Sequence, residues 1–207
     1  MATKSGKVTR DLGIKFPPDE SEVSKLNRML TEMQIAINDG HIVRQRYTAA
    51  AIKTVANTTT ETTIIGAGRG SLTLDPNFFE EGKSLRVTAS GFYSTQLVAV
   101  GITVSIKKGT TVLATTGSIV LGNNIANRAW ELNTVITGYT ATTVICNGLF
   151  RYLAGASGNQ QAFGMVNTGA VTVNTTSEAF SVTVTWAAGV AAADSFSCSN
   201  FILEVLE

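Results

Sequence analysis

A two-residue alternation of apolar and hydroxyl side chains dominates the second part of the chain and restricts the folds open to it. Between residues 180 and 186, Ser and Thr alternate with four large apolar residues, namely Phe180, Val182, Val184 and Trp186. Successive side chains of a strand point to opposite faces of a sheet, so this pattern predicts a strand with one buried face. The same alternation recurs at 102–106, 130–132 and 201–205. We predict that the apolar set, with Trp130 and Leu132, forms the core of a β domain.

Segments rich in glycine and asparagine separate these runs and predict about eight to ten strands. They are Lys108-Gly109, Gly122 to Asn124, Gly138, Asn147-Gly148, Gly155 to Asn159, and Asn167 to Gly169. We interpret Gly66 to Gly70 as a flexible loop, because a strand-like run rather than a helix follows it. Strands without crossover helices are joined antiparallel. We therefore predict a mainly β fold, an antiparallel jelly-roll-like β-sandwich, preceded by an extended arm and one short α-helix.

The distribution of charge places a boundary in front of this domain. Residues 1–53 carry nine Lys and Arg against six Asp and Glu, a net charge of +3, whereas the remainder of the chain carries −2. Thr, Val, Ala and Gly replace the charged residues beyond this point. We predict an N-terminal anchoring arm and helix over 1–53 and the β-sandwich over 54–207.

The N-terminal segment contains a predicted helix. Pro17-Pro18 ends any earlier helix, and Asp19 with Glu22 forms a capping box, so a helix is expected from about Glu20. A heptad-like apolar stripe follows until Gly40, formed by Val23, Leu26, Leu30, Met33 and Ile37. This helix either packs on its own domain or self-associates into a short bundle. In both cases the stripe needs a partner surface, because so short a helix is marginal in water.

The first sixteen residues are basic and rich in small polar side chains. They are either a disordered tail or an arm that becomes ordered on docking to a larger assembly through Leu12, Ile14 and Phe16. The three apolar residues and the helical stripe are our predicted anchoring and oligomerisation residues. The low charge of the β domain also favours association with further copies of the chain.

Charge and composition argue against several functional classes. A net charge of +1 gives no basic patch for nucleic acid or an anionic membrane, and no apolar run suits a membrane span. One His and two distant Cys do not make a zinc site, and we expect Cys146 and Cys198 to be buried free thiols. The acidic residues are scattered and no nucleophile motif is present. We predict no enzyme activity, no catalytic residue, no metal and no cofactor.

Several motifs together carry a resemblance to a known class. They are Gly70 to Leu74, Phe78-Phe79, Gly82 to Ser94, Asn127 to Leu132, and Met165 to Thr168. Over about residues 58–207 the chain resembles small β-rich structural proteins of tailed bacteriophages. The resemblance implies a trimeric jelly-roll head, carried on an N-terminal segment that anchors it to the capsid or tail.

We accordingly predict a non-enzymatic virion structural protein of the capsid-decoration or head-fibre type. It would be made in the host cytoplasm and incorporated into the virion as a homotrimer, in contact with capsid or tail proteins. The alternative is a tail-fibre tip or a carbohydrate-binding module that contacts a host surface glycan through distal loops such as Gly155 to Gln161. Aromatic side chains suit such a surface, and Tyr93, Tyr139 and Tyr152 are candidates for it.

Overall fold

The computed structural model describes residues 24–31, 44–96, 100–155, 158–167, 169–187 and 193–206. The chain divides into two compact units, Met1–Ile42 and Val43–Glu207. In the first unit, the described residues 24–31 are α-helical, and we call this stretch α1. The expected helix start at Glu20 and the extended arm lie outside the described residues. Among the described residues, no helix has the length and apolar character that a membrane span requires.

The described part of the second unit consists of β-strands and their connections. The strands are β1 (Arg44–Ala49), β2 (Lys53–Ala56), β3 (Thr62–Thr63), β4 (Gly68–Gly70), β5 (Thr73–Leu74), β6 (Ser84–Thr95), β7 (Gly101–Lys108), β8 (Thr111–Thr115), β9 (Ile119–Val120), β10 (Ile125–Thr140), β11 (Thr143–Ala154), β12 (Asn159–Gly164), β13 (Val171–Thr172), β14 (Glu178–Trp186) and β15 (Ser195–Leu206).

These strands form two sheets. The nine-stranded sheet has the order β12-β11-β10-β6-β15-β1-β4, with β13 beside β11 and β2 beside β15. The six-stranded sheet has the order β3-β14-β7-β8, with β5 beside β14 and β9 beside β7. The pairs are antiparallel, and the chain passes repeatedly from one sheet to the other, as in a jelly roll. The predicted mainly β, antiparallel sandwich is confirmed.

A continuous apolar core holds the second unit together. The six predicted core residues lie in it, and none is more than 2% exposed. Trp130 stacks on Phe196 with ring centroids 4.6 Å apart, and its Nε1 donates a hydrogen bond to the Ser197 carbonyl oxygen at 3.0 Å. Burial of such aromatic rings contributes a large share of the stability of a sandwich.

The cysteines are free and buried, as predicted. Burial raises the pKa of the Cys146 thiol to about 12 and that of Cys198 to about 11. Both thiols are therefore protonated and unreactive at neutral pH.

The predicted boundary at residues 53/54 falls inside the large sheet. Strand β1 pairs with β15, and β2 pairs with the same strand farther along. Tyr47 of β1 is 7% exposed and donates a hydrogen bond to the Gly66 carbonyl oxygen at 2.6 Å. Arg46, on the same strand, lies 3.2 Å from the Asp75 carboxylate. The charge-rich stretch thus extends into the first strand, so that charge density does not mark the domain boundary.

Two of the predicted turns are wrong. Gly138 lies within β10 and Gly148 within β11, and the chain reverses between these strands at residues 141–142. A Cβ at Gly148 would lie 2.4 Å from the Asn133 carbonyl oxygen of the adjacent strand. Glycine is required there for close approach of two backbones rather than for a turn.

The prediction of a loop at Gly66 to Gly70 is also wrong in part. Gly68–Gly70 form the edge strand β4, paired with β1. A Cβ at Gly68 would lie 2.0 Å from the Thr48 carbonyl oxygen, so the glycines again permit close strand contact. Short strands of this kind also explain why fifteen strands are described where the sequence predicts about eight to ten.

Candidate functional site

The large sheet presents a surface opposite to its core side, which we call the outer face. On β10, Trp130 and Leu132 point into the core. The alternate residues Ala129, Glu131 and Asn133 are exposed. Because side chains alternate along a strand, β6, β11, β12 and β15 contribute to the same surface. The outer face therefore combines side chains from five strands.

Strand register arranges the side chains of this face in rows. Glu131 of β10 pairs with Arg151 of β11 on one side and with Ser90 of β6 on the other, which gives a polar row. In the neighbouring row, Ala129 pairs with Phe92, and Leu153 pairs with Gln160 of β12. Three apolar side chains, Phe92, Ala129 and Leu153, thus run beside a row of hydrogen-bonding groups, and Gln160 follows them on β12.

An ion pair joins β10 and β11 on the outer face. Arg151 Nη1 lies 3.2 Å from Glu131 Oε1, and the two side chains are 42% and 55% exposed. A second pair, Arg86 with Glu204 at 3.6 Å, lies farther along the same sheet. Each pair balances its own charge, so this part of the face combines donors and acceptors without net charge.

Two shallow depressions meet at the Glu131–Arg151 pair. The first, which we call the aromatic depression, has a volume of about 420 Å³. Its lining includes Ser90, Phe92, Ala129, Glu131, Arg151, Leu153, Gln160 and Ser199. The second, the aliphatic depression, has a volume of about 480 Å³ and is lined by both ion-pair residues together with Asn133, Val135, Asn147, Leu149 and Val166.

Other charged side chains of the second unit secure strands and loops. Lys108 is 1% exposed, and its Nζ donates to the Asn174 and Thr176 carbonyl oxygens at 2.6 and 2.9 Å and contacts Glu178 at 3.1 Å. This contact fixes residues 174–178 against the end of β7. Such an arrangement satisfies a buried ammonium group and leaves it no evident chemical role.

Glu61 provides a second example at the edge of the small sheet. It accepts hydrogen bonds from Lys107 Nζ at 2.9 Å and from the Thr183 hydroxyl at 2.7 Å. Those hydrogen bonds hold the pKa of the Glu61 carboxyl below its usual value. Within the described part of the chain, no group of three or more His, Cys, Asp or Glu side chains is placed to hold a metal ion.

The predicted anchoring residues are described only at Leu26 and Leu30, both in α1. They are 51% and 53% exposed. Leu12, Ile14, Phe16, Val23, Met33 and Ile37 lie outside the described residues.

The three candidate tyrosines lie in different environments. Tyr93 and Tyr152 are buried, and their hydroxyls donate to the Leu153 and Val120 carbonyl oxygens at 2.8 and 3.2 Å. Tyr139 is 61% exposed, lies toward the end of β10, and lines neither of the two depressions, so it does not belong to the surface described above. The predicted distal loop is wrong at residues 159–161, which belong to β12, and Gln160 of that strand lines the aromatic depression. The sequence pattern does not single out Phe92 or Arg151, because their proximity to Glu131 depends on strand register.

Comparison with known proteins gives no match to a family model, to a curated protein or to a solved structure.

Proposed function

We propose that the chain is a non-enzymatic structural protein of a bacteriophage virion, of the capsid-decoration or head-fibre type. Its N-terminal unit attaches it to capsid or tail proteins and associates with two further copies, and its β unit is displayed as a rigid trimeric head. The resemblance of residues 58–207 to phage structural proteins motivates the class.

The exposure of the two leucines of α1 is the observation that carries this proposal. Leu26 and Leu30 are four residues apart, so they lie on the same side of the helix, and about half of each side chain is exposed. Helices in proteins gain most of their stability from packing of an apolar side. Burial of this side of α1 against another chain would supply such packing.

The use of charge in the β unit supports a structural role. Two ion pairs hold loops and strand edges together, namely Lys108 with Glu178 and Lys107 with Glu61. These contacts give rigidity to a displayed domain, and their partners are fixed within the fold.

Sedimentation of a leucine double variant tests the proposed association. We expect the full-length protein to sediment as a trimer at micromolar concentration and L26E/L30E to sediment as a monomer, because charge at this position prevents burial of the helix. The matched control is V112E/V120E, which places the same charges at two exposed valines of the β unit, 43% and 64% exposed. The control should stay trimeric. A monomeric unmodified protein, or a trimeric L26E/L30E, would contradict the proposal.

A second candidate function, a tail-fibre tip or receptor-binding module, is favoured by the two depressions on the outer face. They lie on the β unit, away from the predicted anchoring residues in sequence. A displayed head with such a surface suits contact with a host glycan, as the alternative prediction requires.

A further inference from the structure

We propose that the aromatic depression and its adjoining ion pair bind a neutral oligosaccharide. This inference rests on the second candidate function, the glycan-binding module, and specifies its ligand; it concerns the outer face alone and does not depend on trimer formation. Four features of the described residues support it: the size of the depression, its parallel apolar and polar rows, the exposed ion pair, and the local charge balance.

The size and lining of the depression suit a small organic ligand. Its volume of about 420 Å³ lies in the range typical of ligand sites, ~300–1,000 Å³. Phe92, Ala129 and Leu153 supply an apolar floor, and their main chains are held by neighbouring strand pairs. The floor is therefore preformed by the sheet, so binding requires little ordering.

The two rows match the shape of a pyranose ring. Such a ring has an apolar face of C–H groups and a rim of hydroxyls. The apolar row, with Phe92 as its aromatic member, suits the C–H face. The row of Ser90, Glu131 and Arg151 runs alongside, two residues farther along each strand. Its polar side chains can therefore contact the hydroxyls at the edge of the sugar ring.

The ion pair offers the two hydrogen-bonding functions that a sugar hydroxyl needs. A hydroxyl both donates and accepts, a carboxylate accepts only, and a guanidinium donates only. Glu131 and Arg151 are joined through Oε1 and Nη1 at 3.2 Å, and their side chains are 55% and 42% exposed. Their remaining acceptor and donor capacity faces solvent, where neighbouring hydroxyls of a sugar can engage both partners.

The charge balance of the site selects a neutral ligand. Arg151 would attract an anion, but Glu131 lies beside it and repels one. Gln160 and Ser199 add uncharged polar groups at the rim. The aliphatic depression continues beyond the ion pair with Asn133, Leu149 and Val166, so the surface can contact more than one sugar unit.

Calorimetric titration of the full-length protein with defined hexasaccharides tests the site. The probes are maltohexaose, cellohexaose and chitohexaose, with the acidic hexagalacturonate for comparison. We expect at least one neutral probe to bind with a millimolar or lower Kd. F92A should weaken that binding about tenfold through loss of the aromatic contact. E131Q should weaken it about tenfold through loss of a charged acceptor.

The matched control is Y139A, which removes an exposed aromatic side chain at the far end of the same strand, β10. It should retain the unmodified affinity. E131Q keeps the test valid if F92A fails to fold, because an exposed ion pair contributes little to stability.

Four results would overturn the proposal. They are the absence of binding to all three neutral probes, binding that is insensitive to both F92A and E131Q, loss of binding in Y139A, and tighter binding of hexagalacturonate than of every neutral probe. If F92A instead changes the oligomeric state and no neutral probe binds, the outer face is a protein interface. A trimeric protein that binds none of the sugars would contradict the sugar site and leave the proposed virion role standing. A monomeric protein that binds sugar would contradict only the proposed trimer.

Discussion

The two tryptophans of the β unit are equally buried but differ in hydrogen bonding. Substitution of each should therefore change the free energy of unfolding by a different amount. Trp130 and Trp186 are 2% and 1% exposed. The indole nitrogen of Trp130 donates to the Ser197 carbonyl oxygen at 3.0 Å. That of Trp186 is buried and has no hydrogen-bond partner within the described part of the chain. The informative perturbation is replacement of each by phenylalanine.

The magnitudes follow from packing and hydrogen bonding. Complete truncation of a buried Trp to Ala costs about 3–5 kcal/mol, as expected for W186A, and the smaller change to Phe about 1–2 kcal/mol. W130F also loses a hydrogen bond, about 1 kcal/mol, and part of the 4.6 Å stack on Phe196. W186F removes an unpaired buried N–H, which itself destabilises the fold by about 1–3 kcal/mol. We expect W130F to cost about 2–3 kcal/mol and W186F to range from a gain of about 2 kcal/mol to a loss of about 1 kcal/mol.

Urea unfolding followed by far-UV circular dichroism measures the difference. This signal reports the sheets and does not depend on the fluorescence of the substituted residue. All proteins should be compared at one concentration, because association shifts apparent stability. The midpoints should differ while the urea dependence, m, stays constant.

Equal losses of stability in W130F and W186F would refute this reasoning. Such a result would mean that ring packing alone decides both sites. A larger loss in W186F than in W130F would show that the Trp186 nitrogen has a partner of real energetic value.

Two further predictions concern the thiols and a glycine. Cys146 and Cys198 have pKa values raised by burial from 9.0 to about 12 and about 11. Above pH 9 the thiols of the unfolded chain lose their protons, whereas those of the folded chain keep them. The free energy of unfolding should therefore fall as pH rises from about 9 to 11. In C146A/C198A the urea midpoint should fall less steeply over the same range. G148A should unfold the domain or lower its melting temperature by more than ~10 °C, since the new Cβ would lie 2.5 Å from Thr134 Cα. G169A should be harmless in the same thermal melt, because a Cβ there meets no atom of the described residues within 4 Å.

The alternation of residue types predicts the parts of the fold that depend on which side of a strand is buried. Phe180, Val182, Val184 and Trp186 lie in the core because their spacing matches the pleat of β14. The buried state of both cysteines follows from the same apolar surroundings. These features are local, and a single sequence contains the information they require.

Features that depend on contacts between distant segments were not predictable in this way. Gly148 looks like a turn residue in sequence, but its small size is needed against Asn133, fifteen residues earlier. The boundary was misplaced because Arg46 and Lys53 look like residues of a solvated arm, although both belong to strands.

The proposed sugar site on the outer face could not be predicted from the sequence for the same reason. Phe92, Glu131 and Arg151 come from three strands, and their proximity depends on register. Each occupies a position on the less buried side of its strand, where sequence gives no preference between a plain surface and a binding surface. Register is set by the whole sheet rather than by any short motif.

The central claim is the proposed role as an anchored structural component of a virion, and imaging of intact phage particles tests it most directly. Cryo-electron microscopy, with the protein located by comparison with particles from a deletion strain, should show trimeric β heads projecting from the capsid or tail. Residues 1–42 should lie against the underlying shell or tail protein. Absence of the protein from the particles, or its presence as single copies held through the β unit, would contradict the account.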